Sequence, residues 1–139
     1  MTELGERAPL TAARFTLELG GTPIAGVVRV SALELTGAGI GVTVAPVTVT
    51  RVAGTDDLFH DWAHATMGRG GERATRDLVL TLHGDGDGGQ TAAWHLLGVM
   101  PVAYSPAGEL DALTPGLVTE TLTVSVSEVR PVPRPRAGT

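Results

Sequence analysis

Along much of the chain apolar and polar residues alternate with a period of two, the spacing that gives a β-strand one buried face and one wet face. Phe15, Leu17 and Leu19 alternate with Thr16 and Glu18, and Gly20-Gly21-Thr22-Pro23 then supplies turn residues. Ile24 to Leu35, with Val28, Val30, Leu33 and Leu35 as apolar positions, predicts the hairpin partner of that first strand. A glycine loop, TGAGIG, leads into VTVAPVTVTRV, where Pro46 removes one ladder donor and predicts an edge or a break. DLVLTLH and TAAWHLLGV flank the glycine- and aspartate-rich stretch 84–89 as a second hairpin, and LVTETLTVSVSEV predicts a long closing strand.

The period changes once. After Gly54-Thr55-Asp56-Asp57, a stretch with capping side chains, Leu58, Phe59, Trp62, Ala63 and Thr66 recur at spacings of three and four, which predicts one helix over 55–67 ending near Gly68. Arg69 to Arg76 reads as a polar link. Six or seven short strands and one helix predict a mainly β fold: an antiparallel β-barrel or two packed sheets with one flanking α-helix, because so small a chain cannot leave many strand edges bare. At 139 residues the expectation is one domain, 14–130, between a polar leader, 1–13, and an exposed Pro/Arg-rich tail, 131–139.

Composition agrees and then removes chemistry. Val and Thr number 16 and 18, against five aromatic residues, so β-branched side chains suited to a pleated surface dominate. All ten cations are Arg, with no Lys, against 15 acids, and abundant Ala, Gly and Pro accompany them, a bias that suggests a GC-rich bacterial coding sequence. The net charge of -5 leaves no basic face for nucleic acid, apart from Arg130, Arg134 and Arg136 among prolines. The absence of Cys excludes disulfides, thiolate-held zinc, iron–sulfur clusters and a thiol nucleophile. With acids near the start and no apolar run of membrane-spanning length, the chain reads as soluble and cytoplasmic.

His60 and His64 stand at i and i+4 on the predicted helix, a spacing that can hold zinc with the intervening acid as general base. That acid is Asp61, one methylene shorter than the Glu of zinc proteases, and His83 and His95, the remaining imidazoles, lie on strands without a motif. The solvated face of an amphipathic helix accounts for the pair. Asp85 and Asp87 resemble the start of a calcium loop, but the twelfth position is Leu96 where a Glu is required, so a solvated turn is expected. Ser31, Ser105, Ser125 and Ser127 lie in no nucleophile elbow, and Gly37-Ala38-Gly39-Ile40-Gly41 precedes a strand and not a helix N-terminus. No catalytic, cofactor-binding or metal-binding set emerges, and an enzyme is not expected.

Four segments occur in an informative order: FTLELGGTPIAGVVRVSALEL; VTVTRVAGTDDLFHDWAHAT, with Phe59 and Trp62 at aromatic helix positions; a third from Asp77 to Ala112, with Trp94, Gly98, Pro101, Val102, Tyr104, Ser105, Leu110, Asp111 and Ala112; and the closing strand with Val118, Glu120, Thr121 and Leu122. Together they resemble the tail-tube proteins of contractile bacteriophages and of the related extracellular contractile injection systems, over about residues 14–129. The resemblance implies a β-barrel-like subunit with a flanking helix in the outer wall, and a hexameric ring whose channel carries cargo. It implies partners in further copies of the chain and in sheath, baseplate or other tube proteins, with no membrane, and with DNA passage only in a phage tail. The place implied is a phage-tail-like particle assembled in the cytoplasm.

Contacts between subunits or rings are expected at 36–46 and at Pro101 to Ala112, with Thr36, Gly37, Gly39, Gly41, Pro46, Pro101, Tyr104, Ser105, Asp111 and Glu120 as interface residues. Tube subunits usually carry a long glycine- and proline-bearing excursion between the second and third strands, whereas here only TGAGIGVTVAP is present. That shortening points toward a member that starts, caps or connects the tube. Two rival readings are a monomeric small β-barrel that binds an apolar ligand and a His60/His64 metalloenzyme.

Overall fold

A computed structural model describes residues 14–37, 39, 41–68, 75–83, 92–113 and 116–133. The expected leader, most of the polar link, the Asp85/Asp87 turn, and Arg134 and Arg136 lie outside the described residues. In chain order the elements are β1 (Phe15–Leu19), β2 (Thr22–Pro23), β3 (Val27–Val30), β4 (Leu35–Gly37), β5 (Val42–Val44), β6 (Val47–Val52), α1 (Leu58–Met67), β7 (Arg76–Leu82), β8 (Ala92–Ser105), β9 (Thr119–Ser125) and β10 (Glu128–Pro131). The fold is mainly β, as the alternation predicts.

Of the two architectures expected, two packed sheets are realised, and they share a strand. One sheet runs β2-β1-β7-β8 with β10 on the far side of β8, and the other runs β3-β6-β9-β8, all antiparallel. The hydrogen-bonded path ends at β2 and β3, so among the described residues the barrel stays open. The expected long closing strand is one ribbon along β8, with Ser125 opposite Met100 and Glu128 opposite Leu97, interrupted at Val126 and Ser127. It extends into the predicted tail, where Val132 N donates to Ala93 O at 2.8 Å.

Opposite that interruption Gly98 adopts φ +62° and redirects β8 from one sheet to the other. Its N–H donates to Asp77 Oδ1 at 3.1 Å, and Ser127 N and Oγ donate to the carbonyls of Leu97 and Gly98. A Cβ at this position would sit 2.6 Å from Ser127 Oγ and 2.9 Å from Ser127 Cβ, so glycine is required by both backbone and space.

Two expectations are corrected. The segment Ile24 to Leu35 is not the partner of β1: only Thr22 and Pro23 pair with it, after which Gly26, at φ +77°, turns the chain into the other sheet, where β3 pairs with β6. The turn breaks the alternation, leaving Ile24 buried and Val28 exposed. The expected glycine loop is the tip of a separate hairpin, β4–β5, with three-residue strands. Exposed Pro46 then marks a break, and β6 beyond it is flanked by β3 and β9.

Leu17, Val47, Val49, Leu78, Leu80, Leu96, Val99, Leu122 and Val124 fill the space between the sheets. Helix α1 closes one side by burying Phe59, Trp62 and Ala63, while His60, Asp61, His64 and Met67 face out. Each large side chain buried in this way contributes about 1.5–3 kcal/mol, more than a helix of ten residues gains from its own propensity. The replacement Gly98→Ala is expected to lower stability by about 2–3 kcal/mol, roughly 10 °C in Tm for a chain of this size, from the left-handed φ and the clash together. Thermal denaturation checks this. Adding Ser127→Gly should recover the steric part only, and wild-type melting of Gly98→Ala alone would remove the bend from the account.

Candidate functional site

The alternation of β6 turns Val47, Val49 and Arg51 inward, and that of β9 turns Glu120, Leu122 and Val124 inward. Antiparallel register sets Arg51 directly opposite Glu120, so a cation and an anion meet on the core face. Arg51 is fully buried and Glu120 is 4% exposed. Arg51 Nε donates to Glu120 Oε2 at 2.7 Å, Nη2 to Asp56 Oδ1 at 2.6 Å and to the Asp56 carbonyl at 3.3 Å, and Nη1 to the Ala25 carbonyl at 3.4 Å. The guanidinium carbon stands 4.2 Å from the centre of the Phe59 ring. Tyr104 Oη donates to Glu120 Oε1 at 2.8 Å, so both carboxylate oxygens are engaged.

The same network starts the helix. Asp56 Oδ1 accepts from Leu58 N at 2.9 Å and supplies the cap that the Asp57 side chain does not. The hydrogen bond from Arg51, followed by that from Leu58 N, holds the Asp56 carboxyl below its ordinary value. Burial opposes the charge on Arg51, but its hydrogen bonds and charge interactions with Asp56 and Glu120 outweigh that cost and raise its pKa. Burial, then the hydrogen bond to Glu120 and its charge, push Tyr104 up to about 12.

The network decides where the expected contact residues stand. Glu120 and Pro101 are interior, and Tyr104 is half-buried with its hydroxyl committed to Glu120. Inward strand positions place the side chains of Glu120 and Pro101, two of the residues expected at contacts between subunits, in the core of this chain. Thr36, Gly37, Gly39 and Gly41 are exposed on the β4–β5 hairpin, and Pro46 is exposed just after it. Ser105, the last residue of β8, and Asp111 beyond it are exposed; Ser105 Oγ donates to the Ala107 carbonyl and Asp111 Oδ1 accepts from Leu113 N.

Both exposed regions also present apolar side chains. Leu35 and Val42 are 50% and 63% exposed on the hairpin, and Leu110, Leu113 and Leu117 are 69%, 92% and 78% exposed after β8. Leu110, Leu113 and Leu117 stand three and four residues apart in LDALTPGLV, a spacing a helix would use, but Pro115 and Gly116 interrupt the run. A third surface is concave. An open apolar groove of ≈ 380 Å³ lies between the sheets, lined by Phe15, Val30, Ser31, Leu33, Leu35, Leu80, Leu82, Trp94 and Val129.

The histidines do not converge. His60 and His64 lie side by side on the exposed face of α1 with ring centres 4.2 Å apart, and His60 Nδ1 is 3.1 Å from Asp61 Oδ1. His83 Nε2 is 3.2 Å from Thr16 Oγ1, and His95 faces solvent on β8. Among the described residues no three His, Asp or Glu side chains form a group able to hold a metal ion.

The architecture is similar to that of a chain in the sheath/tube terminator of the PVC extracellular contractile injection system in its extended state, with a TM-score of 0.71 and 18% identity over 91% of this chain and 99% of that one. A chain in the tube-terminating cap of the anti-feeding prophage gives a TM-score of 0.72 and 14% identity over 94% and 95% of the two chains. Hcp1 from Flavobacterium johnsoniae is similar at a TM-score of 0.60 and 14% identity, over 84% and 93%. No family model and no curated protein matches the sequence. The likeness is therefore one of fold, and it is the fold of the tail-tube proteins that the four sequence segments resemble.

Two measurements follow from the buried network. Arg51→Met strands Glu120 without its cation and is expected to cost about 3–5 kcal/mol, whereas Arg51→Met with Glu120→Leu should recover much of the loss; chemical denaturation of the three proteins compares them. Tyr104 is the only tyrosine, so phenolate absorbance reads one group. Its midpoint should lie near 12 in the folded protein and near 10 in denaturant. Because the folded state holds the proton more tightly, this contribution to stability is complete below about pH 10 and falls as pH rises toward 12. Glu120→Gln should lower the folded midpoint.

Proposed function

We propose that this chain is a structural subunit of a phage-tail-like contractile injection particle and forms a hexameric ring in the inner tube or at its end. The observation that carries the reading is the likeness in fold, across nearly the whole length of both chains, to components of tube-terminator and cap assemblies.

The β4–β5 hairpin supports a narrower form of this reading. Its strands are three residues each, so the excursion that is long in tube subunits is short here. A ring with a reduced stacking segment suits a position that starts, caps or connects the tube, with sheath, baseplate or other tube proteins as partners. In such a role the work is assembly, and no residue is assigned to catalysis. Assembly in the cytoplasm is part of the proposal; among the described residues no helix is long and apolar enough to cross a membrane. For an injection particle, no nucleic acid is a required partner.

The rival small-ligand reading has the apolar groove in its favour, but Ser31 is the one polar side chain in the lining. Its Oγ already accepts from Thr48 N at 2.8 Å, which leaves little to orient a small molecule. Light scattering and negative-stain microscopy test the proposal, on the purified protein and on the protein co-expressed with sheath, tube and baseplate proteins. Six-fold rings, alone or seated at a tube end, are expected. A monomer under both conditions would overturn the reading.

A further inference from the structure

We infer that His60, His64 and Met67 on the exposed face of α1 form a binding site for a soft monovalent metal ion, copper(I) by the chemistry of its donors. The inference concerns binding alone and stands whether or not the chain assembles into rings. At i, i+4 and i+7, with 3.6 residues per turn, the three side chains leave the helix within about 60° of one another. The helix buries Phe59, Trp62 and Ala63 on its other side, so the core needs none of the three. The His60 side chain is 52% exposed and Met67 43%, and His64 is exposed between them.

The two imidazoles already stand together, with ring centres 4.2 Å apart and 31° between their planes. Asp61 orients the first of them. Its Oδ1 lies 3.1 Å from His60 Nδ1, and a proton on Nδ1 donated to that carboxylate leaves the Nε2 lone pair for a metal, the usual arrangement of a ligating imidazole. Among the described residues no hydrogen bond engages either ring nitrogen of His64. Met67 has three rotatable bonds, and a helical side chain lies over the turn N-terminal to its own Cα, which brings the thioether toward His64. His64 and Met67 line one open pocket of ≈ 230 Å³. Tyr104 of β8 walls the same pocket, its ring edge-on to His60 at 6.3 Å between centres.

The donor set selects the ion. Among the described residues no third imidazole and no carboxylate completes the pair, which leaves zinc short of its four ligands. Two imidazole nitrogens and one thioether suit a three-coordinate copper(I), the ion that thioether sulfur favours. An exposed methionine adds little to a polar helix face, whereas beside two imidazoles it supplies the third donor. Position adds to the preference, because His64 and Met67 occupy the last turn of α1, where the end of the helix favours a cation.

Titration calorimetry of the untagged chain with silver(I) nitrate, the redox-stable analogue of copper(I), measures the site in chloride-free buffer. Competition for copper(I) against a chromogenic chelator, under reducing anaerobic conditions, repeats the measurement. One ion per chain is expected. Met67→Leu preserves size and helix propensity, and it should weaken silver(I) and copper(I) by about ten-fold or more, at least the worth of an outer partner of a ligand. Nickel(II), which two imidazoles hold without sulfur, should bind that variant as it binds the wild type. His64→Ala should abolish uptake of all three ions, while His83→Ala and His95→Ala should leave it unchanged. All these positions except His83 are exposed, and circular dichroism checks that each variant is folded. Wild-type uptake no tighter than that of a His60→Ala/His64→Ala double variant would mean an adventitious ion only and would overturn the site. Met67→Leu that holds silver(I) and copper(I) as tightly as wild type would overturn it as well, since sulfur would then be no ligand.

Discussion

A single buried cation orders this molecule. Arg51 sits where strand alternation demands an apolar residue, fully removed from water, and an unpaired guanidinium there would cost several kcal/mol. It is tolerated because Glu120 lies directly across the ladder, Asp56 closes the other side, and Phe59 lies against it. Each partner belongs to a different part of the fold. Glu120 is in β9, Asp56 is in the turn before α1, Phe59 is on the helix, and Tyr104 joins from β8 through Glu120. Satisfying one charge therefore fixes the helix, the turn and the second sheet relative to one another, a geometric specificity that apolar contacts alone supply less sharply.

Strand β8 provides the complementary constraint. Belonging to both sheets, it must change direction midway, and Gly98 permits this where a side chain would collide with Ser127. The bend leaves the two sheets packed around one core and sends the ends of β8 to opposite ends of the body. One end opens onto the apolar groove and the other continues into the exposed leucines.

The proposed role as a repeated subunit draws on the sheets themselves. Thr and Val in alternation give sheets whose polar faces need no special chemistry, and among the described residues the edges at β2 and β3 have no further strand beside them. The likeness to chains of tube-terminator and cap assemblies extends over almost the entire chain at 14–18% identity. Fold persists at such identity because it rests on pattern and a few required residues, such as a glycine at a bend, while surfaces are free to change with the neighbour they meet.

The chain alone determined its mainly β character, its one helix over the Leu58 region, the Trp94-bearing strand and the resemblance in segment order, because these depend on local period and on residues close in sequence. It also named Thr36, Gly39, Ser105 and Asp111 as contact residues, and the structure places all four at the surface. It did not disclose that Ile24 to Leu35 leaves its first partner, since a single left-handed turn at Gly26 reassigns the strand without altering its composition. Nor did it separate Glu120 from a contact residue. Opposite charges in VTVTRV and LVTETLTV become an ion pair only when strands 69 residues apart adopt one register. Pairing across that distance and the sharing of β8 between two sheets were decided by tertiary structure, because register and packing are properties of strands in contact and not of either strand by itself.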